Sequence, residues 1–212
     1  VRRVALEAGE ALAAAHAAGL LHRDLKPANI YLARVPGEPQ TRVVLLDFGL
    51  AKLTDEPGCT QSGARLGTPA YMAPCQASGE ARLIGPATDI YALGTVLYEL
   101  LVNQPPFQGE TNLEILRQVV DCEPENPRNL RPKLPRDLVA ICLKCLEKKP
   151  QKRYASGAAL AADLRRFIDG QPTIARPQTA LERLAKTTRR RPAQTALVGV
   201  AVLSAFVIAI QT

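Results

Sequence analysis

The 212-residue sequence contains no tryptophan, and aromatic residues make up only 4% of it. Its core must therefore consist mainly of leucine, valine, isoleucine and alanine, while an apolar content of 47% is typical of a folded protein. The length suffices for one sizeable domain with a short appendage. No secretory signal is recognisable at the N-terminus, and five cysteines, an odd number, do not indicate a disulfide framework. These absences favour a reduced, intracellular protein.

Two of the cysteines, Cys142 and Cys145, form a CxxC motif that could indicate a zinc or redox site. The sequence offers no second pair of cysteines or histidines near them. Apolar neighbours at helical spacing, Leu138, Ile141 and Leu146, favour the alternative, a helix face that carries small core thiols.

Positive charge is not spread evenly over the chain. Residues 171–192 include six basic residues and one acidic residue, so this segment carries +5 of the formal net charge of +7. The basic residues are Arg176, Arg183, Lys186, Arg189, Arg190 and Arg191. A nucleic-acid-binding face on the folded part is therefore not indicated.

The C-terminal residues differ in kind from the rest. Residues 196–210, "ALVGVAVLSAFVIAI", carry no charge and follow three consecutive arginines. A bilayer span takes about 20 such residues, and a buried core helix is the alternative. The basic flank favours a partial transmembrane helix at 193–212 after a juxtamembrane linker at 171–192. We therefore expect a single-pass protein of the cell membrane with its first domain in the cytoplasm.

Residues 1–170 are predicted to form one mainly α-helical domain. An alanine-rich helix ends at Gly19, "LLHRDLKPANIYLARV" is predicted as strand, loop and strand, and "TRVVLLDFG" as a further strand. From about residue 50 to 74 no periodicity is present, which predicts a long functional loop. Helices are then predicted at about 89–102, 111–121, 135–147 and 155–169, the first of them buried on nearly every side.

Four polar side chains near the first two strands have the types that phosphoryl transfer requires. Asp24 could accept a hydroxyl proton, while Lys26, two residues on, could stabilise a transferred phosphoryl group. Asn29 and Asp47 offer oxygen ligands suited to Mg²⁺. Each of these residues alone could equally be a loop-capping residue, but their order along the chain favours a site for phosphoryl transfer.

Four motifs in order, "HRDLKPAN", "DFG", "GTPAYMAP" and "DIYALGTVLYELL", resemble the C-terminal lobe of eukaryotic-like serine/threonine protein kinases over about residues 1–169. The residues within these motifs are similar to those of bacterial membrane-anchored receptor kinases. The resemblance implies a helical C-lobe with short β-hairpins at the catalytic loop, and transfer of the ATP γ-phosphoryl group to Ser/Thr hydroxyls of proteins with Mg²⁺. It also allows a homodimer of the full-length protein.

The resemblance assigns roles to individual residues. Asp24 would be the catalytic aspartate, Lys26 would lie beside the phosphoryl group, and Thr68 would help to define a Ser/Thr acceptor. Asn29 and Asp47 would bind the metal ions that accompany ATP.

Further residues would have structural or regulatory roles. His22 and Phe48 would stack in a hydrophobic column that Asp89 anchors from below. Arg23 would bind a phosphate on the following loop, where Thr60 and Ser62 are placed as activating phosphorylation sites.

The sequence departs from the family pattern in two ways. Cys75 replaces the glutamate that pairs with a buried arginine, whose counterpart is Arg153, so Arg153 needs another acceptor or the substrate-facing loop is poorly anchored. On this basis Cys75→Glu is predicted to raise the melting temperature. In addition, only 21 residues precede His22, and the Gly-rich loop and strand lysine of an N-lobe are missing. We therefore expect a fragment, inactive or nearly so in isolation; the alternative is a pseudokinase or remnant that acts as a membrane-tethered interaction module.

Overall fold

The computed structural model of the chain describes residues 1–34, 36–37, 41–48 and 69–177. The chain divides into two units, Val1–Arg176 and Pro177–Thr212. The second unit lies almost wholly outside the described residues, and with it the predicted partial transmembrane helix and most of the basic linker. None of the helices in the described ranges combines the length and apolar character needed to cross a membrane.

The first unit is mainly α-helical, as the sequence predicts. Each of the five predicted helices is present, with ends within three residues of the predicted bounds, and two four-residue helices that the sequence pattern does not reveal are added. In chain order the helices are α1 (Arg2–Ala17), α2 (Pro74–Ala77), α3 (Pro86–Val102), α4 (Asn112–Asp121), α5 (Pro127–Leu130), α6 (Arg136–Cys145) and α7 (Gly157–Ile168).

Helix α1 ends where the sequence predicts. Gly19 has φ 76°, a left-handed conformation that glycine adopts without steric cost, and the amide of Leu20 donates to the carbonyl of Ala15 at 2.9 Å. This reversal releases the chain toward the segment that carries Asp24.

The described residues form one β-hairpin, with β1 (Ile30–Arg34) antiparallel to β2 (Thr41–Leu45). Ile30 pairs with Leu45, so Asn29, just before β1, lies beside the end of β2. The strand predicted from the leading "LLH" is wrong. The amides of His22 and Arg23 donate to the side chain of Asp89, which removes the donors that a strand ladder would use.

Helix α3 is the centre of the core, as its apolar sequence predicts. All of its residues from Thr88 to Tyr98 are buried, and α1, α6 and α7 pack around it. A Cβ on Gly94 would lie 2.5 Å from the Cβ of Cys145, so only glycine permits this close approach of α3 and α6.

The CxxC motif lies on α6 in this contact. Cys142 and Cys145 are fully buried free thiols, and burial raises the pKa of both. The Cys142 thiol lies 3.6 Å from the carbonyl oxygen of Gly94. No cluster of metal-ligating side chains occurs among the residues that the structure describes. The prediction of core thiols on a helix face is confirmed.

Candidate active site

The segment that carries Asp24 begins with a tight backbone turn. The amide of Asp24 donates to the carbonyl of His22 at 2.8 Å, which is the hydrogen bond of a γ-turn, and the central residue, Arg23, has φ 61°. Non-glycine residues with positive φ are uncommon and cost about 1–3 kcal/mol each, and they are concentrated at functional sites. The structure must therefore supply contacts that hold this turn.

Asp89, near the start of α3, lies directly beneath the turn and is 1% exposed. Its Oδ2 accepts a hydrogen bond from the amide of His22 at 2.9 Å, and its Oδ1 accepts one from the amide of Arg23 at 2.7 Å. The Nε2 of His16 on α1 lies 2.8 Å from the same Oδ2. One buried carboxylate thus joins α1, α3 and the turn, and Asp89 has the anchoring position expected from the sequence.

Asp24 and Lys26 lie together at the surface of this segment. Lys26 Nζ donates to Asp24 Oδ2 at 2.7 Å, and the two side chains remain 25% and 31% exposed. An exposed ion pair contributes little to stability. Its partial exposure leaves a carboxylate and an ammonium accessible to a substrate.

Asn29 and Asp47 lie next to the end of the hairpin at which Ile30 pairs with Leu45. The amide of Leu46 donates to the carbonyl of Asn29 at 2.9 Å, so Asp47 follows immediately, and its φ of 57° is a second positive value at the site. Asn29 Nδ2 donates to the carbonyl of Asp24 at 2.8 Å. Its amide oxygen is then the atom that could bind a metal ion. One amide and one carboxylate oxygen fit Mg²⁺, which commonly takes one or two protein ligands and completes its shell with water and phosphate.

His22 and Phe48 form the expected stacked pair. Their ring centroids are 4.8 Å apart with a tilt of 39°. His22 is fully buried, and within the described part of the chain neither of its ring nitrogens has a hydrogen-bond partner. The imidazole therefore acts here as a packing group that connects the turn to the residue after Asp47.

Residues 1–164 match the sequence profile of the protein kinase domain. The chain belongs to the protein kinase domain family. Among its relatives, the serine/threonine-protein kinase PkaA of Streptomyces coelicolor is 43% identical over 161 residues, which is 76% of this chain and 28% of that protein. The serine/threonine-protein kinase PknB of Mycobacterium tuberculosis is 38% identical over 171 residues, 80% of this chain and 26% of that protein. The chain thus spans about a quarter of the length of these relatives.

Arg153 is the arginine that would pair with a glutamate at position 75, where this chain has Cys75, and the structure shows which groups it binds instead. Arg153 is 4% exposed, and its three nitrogens donate to backbone carbonyls: Nε to Glu147 at 2.7 Å, Nη1 to Ala87 at 2.9 Å and Nη2 to Lys148 at 2.9 Å. Its guanidinium also lies 4.8 Å from the ring centroid of Tyr91. Burial lowers the pKa of Arg153. The guanidinium therefore has acceptors other than a carboxylate.

With these acceptors present, we expect Cys75→Glu to change the melting temperature by less than about 2 °C, rather than to raise it. Cys75 is buried, with its sulfur 3.6 Å from Thr88 Oγ1, and a longer side chain there costs about 1–3 kcal/mol, which offsets the new ion pair. Thermal unfolding of Cys75→Glu, with the exposed Cys122→Glu as control, measures this. A rise of 5 °C or more would show that the carbonyls do not satisfy Arg153.

Three predicted site residues, Thr60, Ser62 and Thr68, lie outside the described residues, so their roles stay predictions. The regulatory role of Arg23 stays a prediction as well; the structure places its backbone in the turn and its side chain at intermediate exposure.

Two residues that hold the turn at Arg23, His16 and Gln76, were not predicted from the sequence. His16 contacts Asp89, and Gln76 on α2 donates to the carbonyl of Arg23 at 2.7 Å. His16 could have been noticed because the chain has only two histidines. The sequence contains no local signal for Gln76, since 53 residues separate it from its partner.

Proposed function

We propose that the protein is a serine/threonine protein kinase that transfers the γ-phosphoryl group of ATP to Ser/Thr hydroxyls of proteins. The observation that carries this proposal is the partly exposed pair of Asp24 and Lys26, 2.7 Å apart on a turn held from below. The Asp24 carboxylate would accept the proton of the acceptor hydroxyl, and the Lys26 ammonium would stabilise negative charge on the transferred group. The names of the relatives, both serine/threonine-protein kinases, support it.

Protein kinases in general use ATP and a divalent metal ion. For this chain we propose Mg²⁺ with Asn29 and Asp47 as its protein ligands, because both supply hard oxygens at neighbouring positions of the hairpin. When bound, the ion would neutralise phosphate charge. The chain's own contribution is to hold Asn29 in place, which the bond from its Nδ2 to the carbonyl of Asp24 does.

We further propose that these residues are the substrate-side lobe of a longer kinase. A Gly-rich loop and a strand lysine that would bind the ATP phosphates are not found in the 212 residues. Since phosphoryl transfer depends mainly on positioning and electrostatics, the isolated chain should be inactive or nearly so.

The test is transfer of labelled phosphate from [γ-³²P]ATP to casein by the full-length protein that contains residues 1–212. Phosphoserine and phosphothreonine should form with Mg²⁺ and not with EDTA. The 212-residue chain, assayed in parallel, should give no signal above background. Absence of phosphoserine and phosphothreonine with the full-length protein would overturn the kinase assignment; efficient transfer by the short chain would overturn only its expected inactivity.

Membrane anchoring through residues 193–212 is a separate part of the proposal. The uncharged run 196–210 after three arginines supports it, and such a span would have the kinase lobe on its cytoplasmic side. Two copies could then meet as a homodimer in the membrane. Flotation of the full-length protein with lipid vesicles should be lost when 193–212 are removed; flotation that persists would show another anchor.

The competing proposal is a pseudokinase or remnant that serves as an interaction module. Cys75, which stands where kinases have a glutamate, is the observation that favours it. The same assay separates the two, because a pseudokinase would leave casein unlabelled under all conditions.

A further inference from the structure

The side chain of Gln76, the third residue of α2, connects this helix to the catalytic turn. Its Nε2 donates to the carbonyl of Arg23 at 2.7 Å. Its Oε1 accepts from the amide of Ala73, just before the same helix, at 3.1 Å. Both ends of one carboxamide are therefore engaged.

The carbonyl that Gln76 binds belongs to the peptide that leads directly into Asp24. The two amides before it, of His22 and Arg23, are bound by Asp89, and the amide of Asp24 closes the γ-turn. The carbonyl of Arg23 and the amide of Asp24 belong to the same peptide unit, so the γ-turn bond holds this peptide plane at its N–H and Gln76 holds it at its oxygen. Gln76 thus gives the peptide before Asp24 a contact of its own, separate from the two amides that Asp89 binds.

No other side chain of similar size makes the same two bonds. Glutamate offers the acceptor for the amide of Ala73 but has no donor for the carbonyl of Arg23, and would place a negative charge against it. Alanine offers neither group. Comparing these two substitutions therefore separates the bond to the turn from the bond within α2.

We propose that Gln76 is a positioning residue for Asp24. It stabilises the positive-φ conformation of Arg23 through the carbonyl, and so sets the direction from which the Asp24 carboxylate meets Lys26 and the acceptor hydroxyl. The proposal rests on the kinase function proposed above, and it also connects α2 physically to the catalytic loop. The effect of Gln76 on the conformation of the turn can be measured without an activity assay.

The first test uses amide hydrogen exchange and NMR on the 212-residue chain. In both Gln76→Glu and Gln76→Ala, the Asp24 amide should exchange at least 10-fold faster and the Asp24 carboxyl ¹³C resonance should move. The control is Gln118→Glu, which breaks a matched bond, Gln118 Nε2 to the carbonyl of Gln108 at 2.7 Å, in another part of the chain. That variant should leave both Asp24 signals in place.

The second test measures kinetics of the full-length protein. Gln76→Glu should lower kcat about 10-fold or more while the KM for ATP stays within twofold, because the bond acts on the base and not on nucleotide binding. Unchanged Asp24 exchange and ¹³C shift in a folded Gln76→Glu chain would overturn the positioning role, whatever the activity. If the wild type shows no transfer, the kinase proposal fails, and the NMR result still decides whether Gln76 holds the turn.

Discussion

Replacing Asp24 by asparagine is expected to lower the rate of phosphoryl transfer by about 10²- to 10⁴-fold, the range that removal of a positioned general base produces. The substitution keeps the size of the side chain and leaves the turn intact, because the contacts that hold the turn involve backbone groups of His22, Arg23 and Asp24. The loss should appear in kcat, with the KM for ATP little changed. Initial rates of the full-length protein with [γ-³²P]ATP and casein measure it.

A control variant separates the base from general disturbance of the loop. Tyr31 on β1 is an exposed side chain of the hairpin that follows the Asp24 segment and has no assigned proton-transfer role, so Tyr31→Phe should keep wild-type kcat within about threefold. An Asp24→Asn protein that retains more than a tenth of wild-type kcat would contradict the role of Asp24 as the base. Melting curves of both variants should match that of the wild type.

Replacing Arg153 by methionine is expected to lower the free energy of unfolding by about 3–5 kcal/mol, since three partly buried carbonyls lose their donor at about 1–3 kcal/mol each, partly offset by local relaxation. Methionine keeps part of the apolar packing on Tyr91 and removes the charge. For a domain of this size the melting temperature should fall by about 10 °C. Differential scanning calorimetry and urea unfolding measure it.

The neighbouring Lys152 provides the matched control, because it has a similar length and lies exposed at the surface. Lys152→Met should change stability by less than about 0.5 kcal/mol. Equal effects of the two substitutions would mean that the three hydrogen bonds of Arg153 contribute nothing net. Together with Cys75→Glu, this pair shows whether backbone carbonyls fully replace the carboxylate that the sequence lacks at position 75.

The helices of this protein could be predicted because their signals are local. Apolar spacing and terminal glycine or proline residues define α1, α3, α4, α6 and α7, and their burial follows from which face is apolar. The two four-residue helices, α2 and α5, are too short for a periodic pattern, so tertiary contacts alone reveal them. The strand predicted at "LLH" was wrong for a related reason, because the side chain of Asp89, 67 residues away, binds the backbone amide of His22.

In the candidate site too, residues close together in the sequence could be predicted and contacts between distant residues could not. Asp24, Lys26 and Asn29 lie within six residues, so a motif is sufficient to group them, and Asp47 follows as the end of the next strand. The acceptors of Arg153 could not be predicted, because they are carbonyls, which every residue has.

The sequence by itself determined the protein kinase domain family, the mainly helical fold and the residue types available for chemistry. Only the tertiary structure decided that Arg23 is held at positive φ, that His16 contacts Asp89 beneath it, and that Gln76 completes the turn. The physical reason is that hydrogen bonds between groups 53 to 73 residues apart depend on how the helices are placed against one another, whereas the periodic pattern shows only which face of each helix is buried.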